Sequence, residues 1–215
     1  MMYENLEDRR LLSATLTNGV LAVTGTAGND RISVAPKGTD LNVQVGKTKS
    51  TFKAADVKSL VVKSLAGNDL IDLAKSPVAA TVDAGDGNDI VIGTAKADVV
   101  TAGKGNDYVF ALAGNDSVTG GDGNDVLYTG DGNDSVSGGA GNDLISAGAG
   151  NDSVHGDAGN DLLLGDAGDD QIFGDAGNDR IFGGAGNDKV DGGDGKDIAG
   201  KQGTDTFTKV EKIWR

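Results

Sequence analysis

The 215-residue sequence contains no cysteine and only two prolines, and aromatic residues make up 4 % of it. The absence of cysteine excludes a disulfide scaffold and a thiolate metal site. The scarcity of proline excludes a collagen-like chain. No apolar run approaches the roughly 20 residues that a membrane-spanning helix needs. A conventional layered core needs more large side chains than this chain has, so the sequence is expected to form a repeat protein or to be disordered.

The charge of the chain is strongly one-sided. Its 33 acidic residues outnumber 19 Lys and Arg, which gives a formal net charge of −14. Binding to phosphate backbones needs clustered basic residues, so no nucleic-acid partner is expected. Glycine is the abundant residue: 36 positions are glycine, more than twice the usual share of about 7 %.

A nine-residue repeat runs from residue 84 to residue 200. Its unit reads Gly-Gly-x-Gly-Asn-Asp-x-apolar-x, with 120–128 and 138–146 as clear copies, and thirteen units fit in register. Position 6 is always aspartate: Asp89, Asp98, Asp107, Asp116, Asp125, Asp134, Asp143, Asp152, Asp161, Asp170, Asp179, Asp188 and Asp197. Position 8 is apolar: Val91, Val100, Val109, Val118, Leu127, Val136, Ile145, Val154, Leu163, Ile172, Ile181, Val190 and Ala199.

Each half of the unit predicts a local structure. The first six positions are rich in Gly, Asn and Asp, which accept positive φ and close tight turns. The last three place one aliphatic side chain inward on a short strand. A turn and a three-residue strand, repeated, predict an all-β parallel solenoid with two units per coil. Its position-8 side chains would meet in a thin core.

Stacked coils would place the position-6 aspartates in two columns of like charge. Residues 84–200 carry 22 Asp against 5 Lys and Arg. Such columns need a cation between their carboxylates, and hard oxygen ligands suit Ca²⁺. Mg²⁺ fits less well, because it demands octahedral geometry and keeps its waters. The alternative is a set of solvated Asn-Asp turns that bind no metal.

The repeat resembles the RTX, or haemolysin-type, calcium-binding nonapeptide repeat over residues 84–200. The resemblance implies a right-handed parallel β-roll with each Ca²⁺ between units n and n+2, and up to about eleven ions. Lys96-Ala97, Ala111-Leu112 and Lys196 depart from the pattern. Besides the thirteen aspartates, the implied ligands are turn glycines: Gly85, Gly87, Gly103, Gly105, Gly114, Gly121, Gly123, Gly130, Gly132, Gly139, Gly141, Gly148, Gly150, Gly159, Gly168, Gly177, Gly184, Gly186, Gly193 and Gly195.

The segments on either side of the repeat differ from it. Residues 14–83 hold two Gly-Asn-Asp turns, 39 residues apart, among alternating strands at 20–23, 32–34, 41–45, 60–62 and 70–73. They predict an N-terminal β-rich solenoid cap in which apolar packing replaces calcium; a separate small β-domain is the alternative. Residues 201–215 predict a C-terminal cap with Phe207 and Trp214 as a lid, because open solenoid ends need covering. A secretion signal is the alternative there.

Residues 1–13 predict a disordered leader. Within residues 5–14 the sequence resembles the LEPR-type N-terminal motif of some secreted and surface bacterial proteins, with Asp8 where that motif has proline. The other interpretation is an unstructured basic leader.

The sequence does not predict an enzyme. His155 is the only histidine, so neither a zinc site nor a Cys-His pair is expected. A Ser-His-Asp triad would have to combine His155 with Ser153 and Asp152, and the repeat already explains both of those residues. No Walker or dinucleotide-binding motif occurs, because these glycines precede Asn-Asp and open no helix.

The outward positions 7 and 9 differ between the two faces. Even units carry mostly Ser and Thr, which suggests an ice- or polysaccharide-binding surface as an alternative function. Odd units carry apolar side chains, which predict a face for self-association or domain packing. β-propensity alone could also account for them. This interaction face consists of Tyr108, Phe110, Val126, Tyr128, Leu144, Leu162 and Leu164.

These observations predict a calcium-binding protein that folds when Ca²⁺ binds. High net charge and few large apolar residues favour disorder without the ion. Extracellular calcium modules work at concentrations on the order of 10⁻⁴–10⁻³ M, which favours a secreted or cell-surface location. The expected role is a structural, secretion or adhesion module. A fragment of a larger RTX enzyme or toxin is the alternative.

Overall fold

The computed structural model describes residues 13–202 and 204–214, so most of the predicted leader and its LEPR-like segment lie outside the described residues. Strands of three to seven residues form two sheets. Sheet A contains, in spatial order, β1 (Ser13–Thr17), β2 (Val20–Thr24), β6 (Ser59–Lys63), β8 (Ala80–Asp86), β10 (Val99–Lys104), β12 (Ser117–Asp122), β14 (Ser135–Ala140), β16 (Ser153–Ala158), β18 (Gln171–Phe173), β20 (Lys189–Asp191) and β22 (Thr206–Thr208).

Sheet B lies on the other side of the core. It contains β5 (Thr48–Lys53), β4 (Asp40–Val45), β3 (Arg31–Lys37), β7 (Leu70–Asp72), β9 (Ile90–Ile92), β11 (Tyr108–Phe110), β13 (Val126–Asp131), β15 (Leu144–Ala149), β17 (Leu162–Ala167), β19 (Arg180–Ala185), β21 (Ile198–Gly200) and β23 (Lys212–Trp214). A 3₁₀ turn, Ala54–Asp56, follows β5.

The chain alternates between the two sheets and thereby winds a solenoid. Successive strands of one sheet pair in parallel and in register, so Val100 lies beside Val118 and Val109 beside Leu127. The register repeats every 18 residues, which is two nonapeptides per coil, and the coils make about nine turns. This confirms the predicted all-β parallel solenoid.

The core is a narrow double row of aliphatic side chains. All thirteen position-8 residues are buried, with exposures from 0 % to 2 %. They point inward because side chains alternate along a strand, so positions 7 and 9 point outward. Each buried aliphatic contributes roughly 1.5–3 kcal/mol at most, so this thin core needs well-ordered turns at both edges.

The turns nest so closely that most of them require glycine at position 4. In the turn of unit 120–128, Gly123 has φ +138°, and a Cβ there would lie 2.6 Å from the carbonyl carbon of Gly105 in the preceding coil. No side chain fits that space. Position 2 is also left-handed but accepts other residues, namely Leu65, Leu112, Asp157, Asp166 and Asp175.

The N-terminal segment joins the same solenoid. Strands β2, β3, β6 and β7 pair in parallel with the coils that follow, and each predicted strand of this segment coincides with an observed one. Two antiparallel additions end it: β1 pairs with β2, and β4 and β5 extend sheet B beyond β3. The boundaries proposed between cap and repeat stay predictions.

The C-terminal segment adds one more pair of strands, β22 and β23, to the two sheets. Phe207 and Val210 pack against the core, as expected of a cap. The prediction that Trp214 acts as a lid is wrong, because this side chain is 51 % exposed on the outside of sheet B. There the Lys212 ammonium lies 3.6 Å from the centre of the indole ring.

Candidate metal centre

The position-6 aspartates form a column along each edge of the solenoid. The sheet B column, whose turns precede the strands of sheet B, consists of Asp30, Asp69, Asp89, Asp107, Asp125, Asp143, Asp161, Asp179 and Asp197. The sheet A column consists of Asp98, Asp116, Asp134, Asp152, Asp170, Asp188 and Asp205. All except Asp30 are buried. Sequence analysis had predicted both columns for residues 84–200.

One carboxylate oxygen of each aspartate is held by the backbone. The amide of Asp107 donates to Asp125 Oδ1 at 2.8 Å, and the amide of Asp125 donates in turn to Asp143 Oδ1 at 2.8 Å. The same bond joins each coil to the next in the sheet A column, for example from Asp116 to Asp134 at 2.8 Å. These ladders fix one oxygen of every carboxylate and aim the other along the edge.

In most of these aspartates the second oxygen, Oδ2, is left without a partner. Thirteen of these atoms are buried and make no hydrogen bond among the described residues. An unpaired buried polar atom is costly, and a buried charge is more so. They belong to Asp69, Asp89, Asp107, Asp116, Asp125, Asp134, Asp143, Asp152, Asp161, Asp170, Asp179, Asp188 and Asp197.

A backbone carbonyl lies close to the unpartnered oxygen in most units whose position 1 is glycine. A Cβ built on Gly138 would lie 2.5 Å from Asp143 Oδ2 and 2.8 Å from the carbonyl oxygen of Gly156 in the next coil. At Gly156 the same distances, to Asp161 Oδ2 and the Gly174 oxygen, are 2.6 and 2.8 Å. The carboxylate and carbonyl oxygens thus converge within about 5 Å, which one Ca²⁺ with contacts of 2.3–2.6 Å can span.

Burial makes these carboxylates hard to ionise without a cation. Desolvation raises the pKa of Asp116, Asp125, Asp161 and Asp170 to about 7, and the charges of aspartates in neighbouring coils add to the rise. The hydrogen bonds of the ladder oppose the shift, because they stabilise the ionised form. An all-oxygen set of hard ligands fits calcium, and a bound cation would lower the pKa of these carboxyls by stabilising their ionised form.

The predicted turn glycines surround the columns but differ in what their carbonyls do. Position-2 carbonyls support the sheets: Leu112, for example, accepts from the amide of Asp131 at 3.0 Å. Position-1 carbonyls lie close to several unpartnered oxygens, and the sequence-based prediction did not include position 1. Metal ligation by the predicted aspartates and glycines therefore stays a prediction, with position 1 added to it.

An outer ladder of asparagine side chains runs beside each column. The amide of Asn106 donates to Asn88 Oδ1 at 2.7 Å, and that of Asn124 to Asn106 Oδ1 at 2.7 Å. Position 5 therefore aligns the turns on the exposed side, which explains its asparagine without assigning it to the metal.

Several residues of the columns were missed by sequence analysis. Asp30 and Asp69 belong to the ladder, and their Ala-Gly-Asn-Asp signature could have placed them there. Glu211 accepts a hydrogen bond from the amide of Asp197 and so comes after Asp197 in the sheet B column, although it lies outside the nine-residue spacing. Thr129 replaces glycine at position 1 of its unit. Its hydroxyl donates to the Ala147 carbonyl at 2.7 Å, so this carbonyl already has a partner and does not face Asp134 alone.

His155 lies on the outer surface, away from the columns. Its Nδ1 is 2.9 Å from Asp175 Oδ2, and its ring stacks on Phe173 with 4.5 Å between centroids. Asp152 instead accepts the amide of Asp134 at 2.7 Å, so the residues of the candidate triad point in different directions.

Ligand atoms of His155, Asp157 and Asp175 lie within 4.8 Å of one another. This spacing is compatible with a metal ion, and the expectation of no zinc site stays a prediction. Partners in the protein already account for these side chains, since Ser137 donates to Asp157 Oδ2 at 2.5 Å.

The interaction face lies on the outside of sheet B. Tyr108 aligns with Val126 and Phe110 with Tyr128, and the Phe110 and Tyr128 rings stack at 5.3 Å. Tyr108 is 48 % exposed and Tyr128 38 %. Leu144 and Leu162 continue the first row, whereas Ser146 separates Tyr128 from Leu164 in the second; the three leucines are half-buried.

Comparison with known protein families assigns the repeat. The family model described as RTX calcium-binding nonapeptide repeat (4 copies) matches residues 83–118, 110–145, 128–163, 137–172 and 164–199. These matches together span more than half of the chain. No curated protein matches the sequence. The repeat pattern, the parallel coils and the paired columns of buried aspartate agree with this match, and the chain belongs to the RTX calcium-binding nonapeptide repeat family.

Proposed function

We propose that this chain is a secreted or cell-surface structural module whose coils fold when Ca²⁺ fills the two aspartate columns. The observation that carries the proposal is the set of thirteen buried Oδ2 atoms without partners. Within each column, the stacked and buried carboxylates repel one another. A divalent cation between coils both pairs these charges and supplies the missing contacts.

Folding and binding are then one equilibrium. The site exists only when two successive coils are stacked, so the binding free energy becomes folding free energy. Extracellular calcium modules bind on the order of 10⁻⁴–10⁻³ M. A chain with such sites stays unfolded where free calcium is scarce and folds where it is plentiful, which supports an exported protein. The only helix in the described residues spans three residues, so none of the described helices crosses a membrane.

Far-UV circular dichroism during a calcium titration tests the proposal. After the protein is stripped with a chelator, we expect a coil spectrum that converts cooperatively to a β spectrum at roughly 10⁻⁴–10⁻³ M Ca²⁺. Mg²⁺ at the same concentration screens charge equally but should leave the coil spectrum unchanged, because it prefers strict octahedral sites with retained water. A β spectrum that survives the chelator contradicts the proposal.

The proposed role is not enzymatic. The carboxylates that could do acid-base chemistry are buried in ladders and are the candidate calcium ligands. His155 pairs with Asp175 on an open surface, where no nucleophile joins the pair among the described hydrogen bonds.

We further propose that the interaction face holds copies of the chain together. It combines the exposed Tyr108 and Tyr128 rings with half-buried apolar neighbours, and exposed apolar patches commonly mark interaction sites. The face exists only when sheet B is formed, so association should require calcium.

Light scattering on the calcium-loaded protein checks this prediction. We expect an apparent mass above that of one chain, which the double variant Tyr108→Ser and Tyr128→Ser returns to that of a monomer. Ser117→Ala and Ser135→Ala on sheet A are the control and should leave the mass unchanged. A wild-type protein that is monomeric at high concentration contradicts the prediction.

A further inference from the structure

Two turns of the solenoid have the sequence Gly-Thr-Ala-x-x-Asp and close differently from the others. They are residues 25–30 and 93–98. In the second, the amide of Thr94 donates to Asp98 Oδ2 at 2.6 Å and its hydroxyl donates to Asp98 Oδ1 at 2.9 Å. In the first, the amide and hydroxyl of Thr26 donate to Asp30 Oδ2 at 2.5 and 2.9 Å. The threonine amide thus makes the same bond to Oδ2 in both turns, 68 positions apart, whereas the hydroxyl bonds Oδ2 of Asp30 and Oδ1 of Asp98.

The backbone of these turns differs as well. Repeat turns have left-handed residues at positions 2 and 4, such as Gly121 and Gly123 with φ of +121° and +138°. Among the described residues, neither Thr26 and Gly28 nor Thr94 and Lys96 have a positive φ. The ordinary φ lets the position-2 amide turn inward to the carboxylate, and it lets Lys96 stand where the neighbouring coils need glycine.

The consequence is that Asp98 lacks the unpartnered oxygen found from Asp116 to Asp188 in its column. Its Oδ1 accepts from the Ala80 amide at 2.7 Å and from Thr94, and its Oδ2 accepts from Thr94. Asp98 is buried to 1 % exposure but is absent from the set of unpartnered carboxylates. A Cβ built on Gly93 would lie 2.7 Å from both Asp98 Oδ2 and the Ala111 carbonyl oxygen, so these oxygens converge as in the other turns. Here, however, the Thr94 amide already donates to the Oδ2 that has no partner in the following coils, although the nine-residue spacing placed Asp98 among the predicted ligands.

Both turns stand at the same place in the architecture. Asp30 is the first member of the sheet B column, and Asp98 is the first aspartate of the sheet A column. At the far end of the sheet A column, Asp205 Oδ2 accepts from the Gln202 amide at 2.8 Å. Donors of the protein itself therefore bond to the carboxylates at these three ends. In the sheet A column, the unpartnered oxygens lie between Asp98 and Asp205.

We propose that Thr26 and Thr94 close the first turn of each column in place of a metal, so that calcium binds only to the carboxylates that follow them. The inference rests on the proposed calcium binding and specifies which turns take part. It makes threonine at position 2 the residue that excludes the ion, and it gives each column a defined, metal-free start.

Conversion of one turn type into the other tests the inference. The triple variant Thr94→Gly, Lys96→Gly and Ala97→Asn restores the repeat sequence and should bind at least one more Ca²⁺ per chain, counted by metal analysis of the dialysed, folded protein. Leu112→Gly, which changes position 2 of the next turn in the same column, is the control and should leave the count unchanged. A folded triple variant with the wild-type count overturns the inference.

A second pair of variants probes the wild-type turns directly. Asp98→Asn should leave the number of bound Ca²⁺ ions unchanged, whereas Asp116→Asn, in the following coil, should lower it by at least one. Loss of an ion from Asp98→Asn also overturns the inference. Failure of the proposed function looks different, because the wild-type chain would then bind no calcium at all.

Discussion

Replacing Asp125, Asp143, Asp161 and Asp179 together by asparagine is expected to let the chain fold without calcium. Each asparagine keeps the Oδ1 acceptor that the ladder needs and removes a buried charge. Its amide group also supplies a donor where Oδ2 now faces a position-1 carbonyl. The side-chain amide that replaces each unpartnered Oδ2 thus gains a hydrogen-bond partner, and these four residues of the sheet B column no longer repel each other.

The expected effect is large because these carboxylates resist ionisation. Burial and neighbouring aspartates raise the pKa of Asp125 and Asp161 to about 7 and that of Asp179 to about 6. At 1.36 kcal/mol per pKa unit, neutralising Asp125 or Asp161 stabilises the calcium-free fold at neutral pH by about 4 kcal/mol. In chelator, the variant should show a β spectrum and a cooperative thermal transition where the wild type shows a coil.

The control variant changes the same net charge at exposed sites. Asp86, Asp122, Asp131 and Asp194 all occupy position 3, point outward and leave the ladders intact when replaced by asparagine. If general charge repulsion keeps the wild type unfolded, both variants fold alike in chelator. If repulsion within the buried columns keeps the wild type unfolded, only the variant with asparagine in the sheet B column folds in chelator. Equal behaviour would therefore contradict the role assigned to the columns.

The strict spacing of the repeat accounts for what the sequence predicted well. Because Asp recurs every nine residues with an aliphatic residue two positions later, the strands, the inward row from Val91 to Ala199 and the two aspartate columns all follow from chain geometry. Period-2 alternation similarly places Tyr108 and Tyr128 on the outside of sheet B. These features depend on local sequence repeated in register.

The features that sequence analysis missed depend on contacts between coils. Nothing in a single turn shows that the Asp107 amide will bind Asp125, because the partner lies 18 residues away. One exception lies within a single turn: Lys96 and Ala97 were named as departures from the repeat but Thr94 was not, although its amide and hydroxyl bond to Asp98 only four residues later. Glu211 joins a column 14 residues after Asp197, outside the nine-residue spacing, because the last turn is irregular.

Acidification is expected to fold the calcium-free chain. Desolvation and neighbouring carboxylates raise the pKa of Asp116 and Asp170 to about 7, and of Asp107 and Asp152 to about 6, above the ordinary value of 3.8. The folded state therefore binds more protons than the unfolded state between roughly pH 4 and 7. Its stability must fall as pH rises through that window, and it is greatest below it.

The calcium-loaded protein should respond in the opposite direction. Calcium requires ionised carboxylates, so protons compete with it and the calcium concentration for half-folding should rise as pH falls. Circular dichroism at pH 5 and pH 7.5, both above the sequence pI of about 4.3, measures the two responses in calcium-free and calcium-containing buffer. The asparagine variant of the sheet B column should show a weaker pH dependence. A calcium-free chain that is less structured at pH 5 than at pH 7.5 would show that the buried columns do not oppose folding, and the case for calcium as their counter-ion would lose its physical basis.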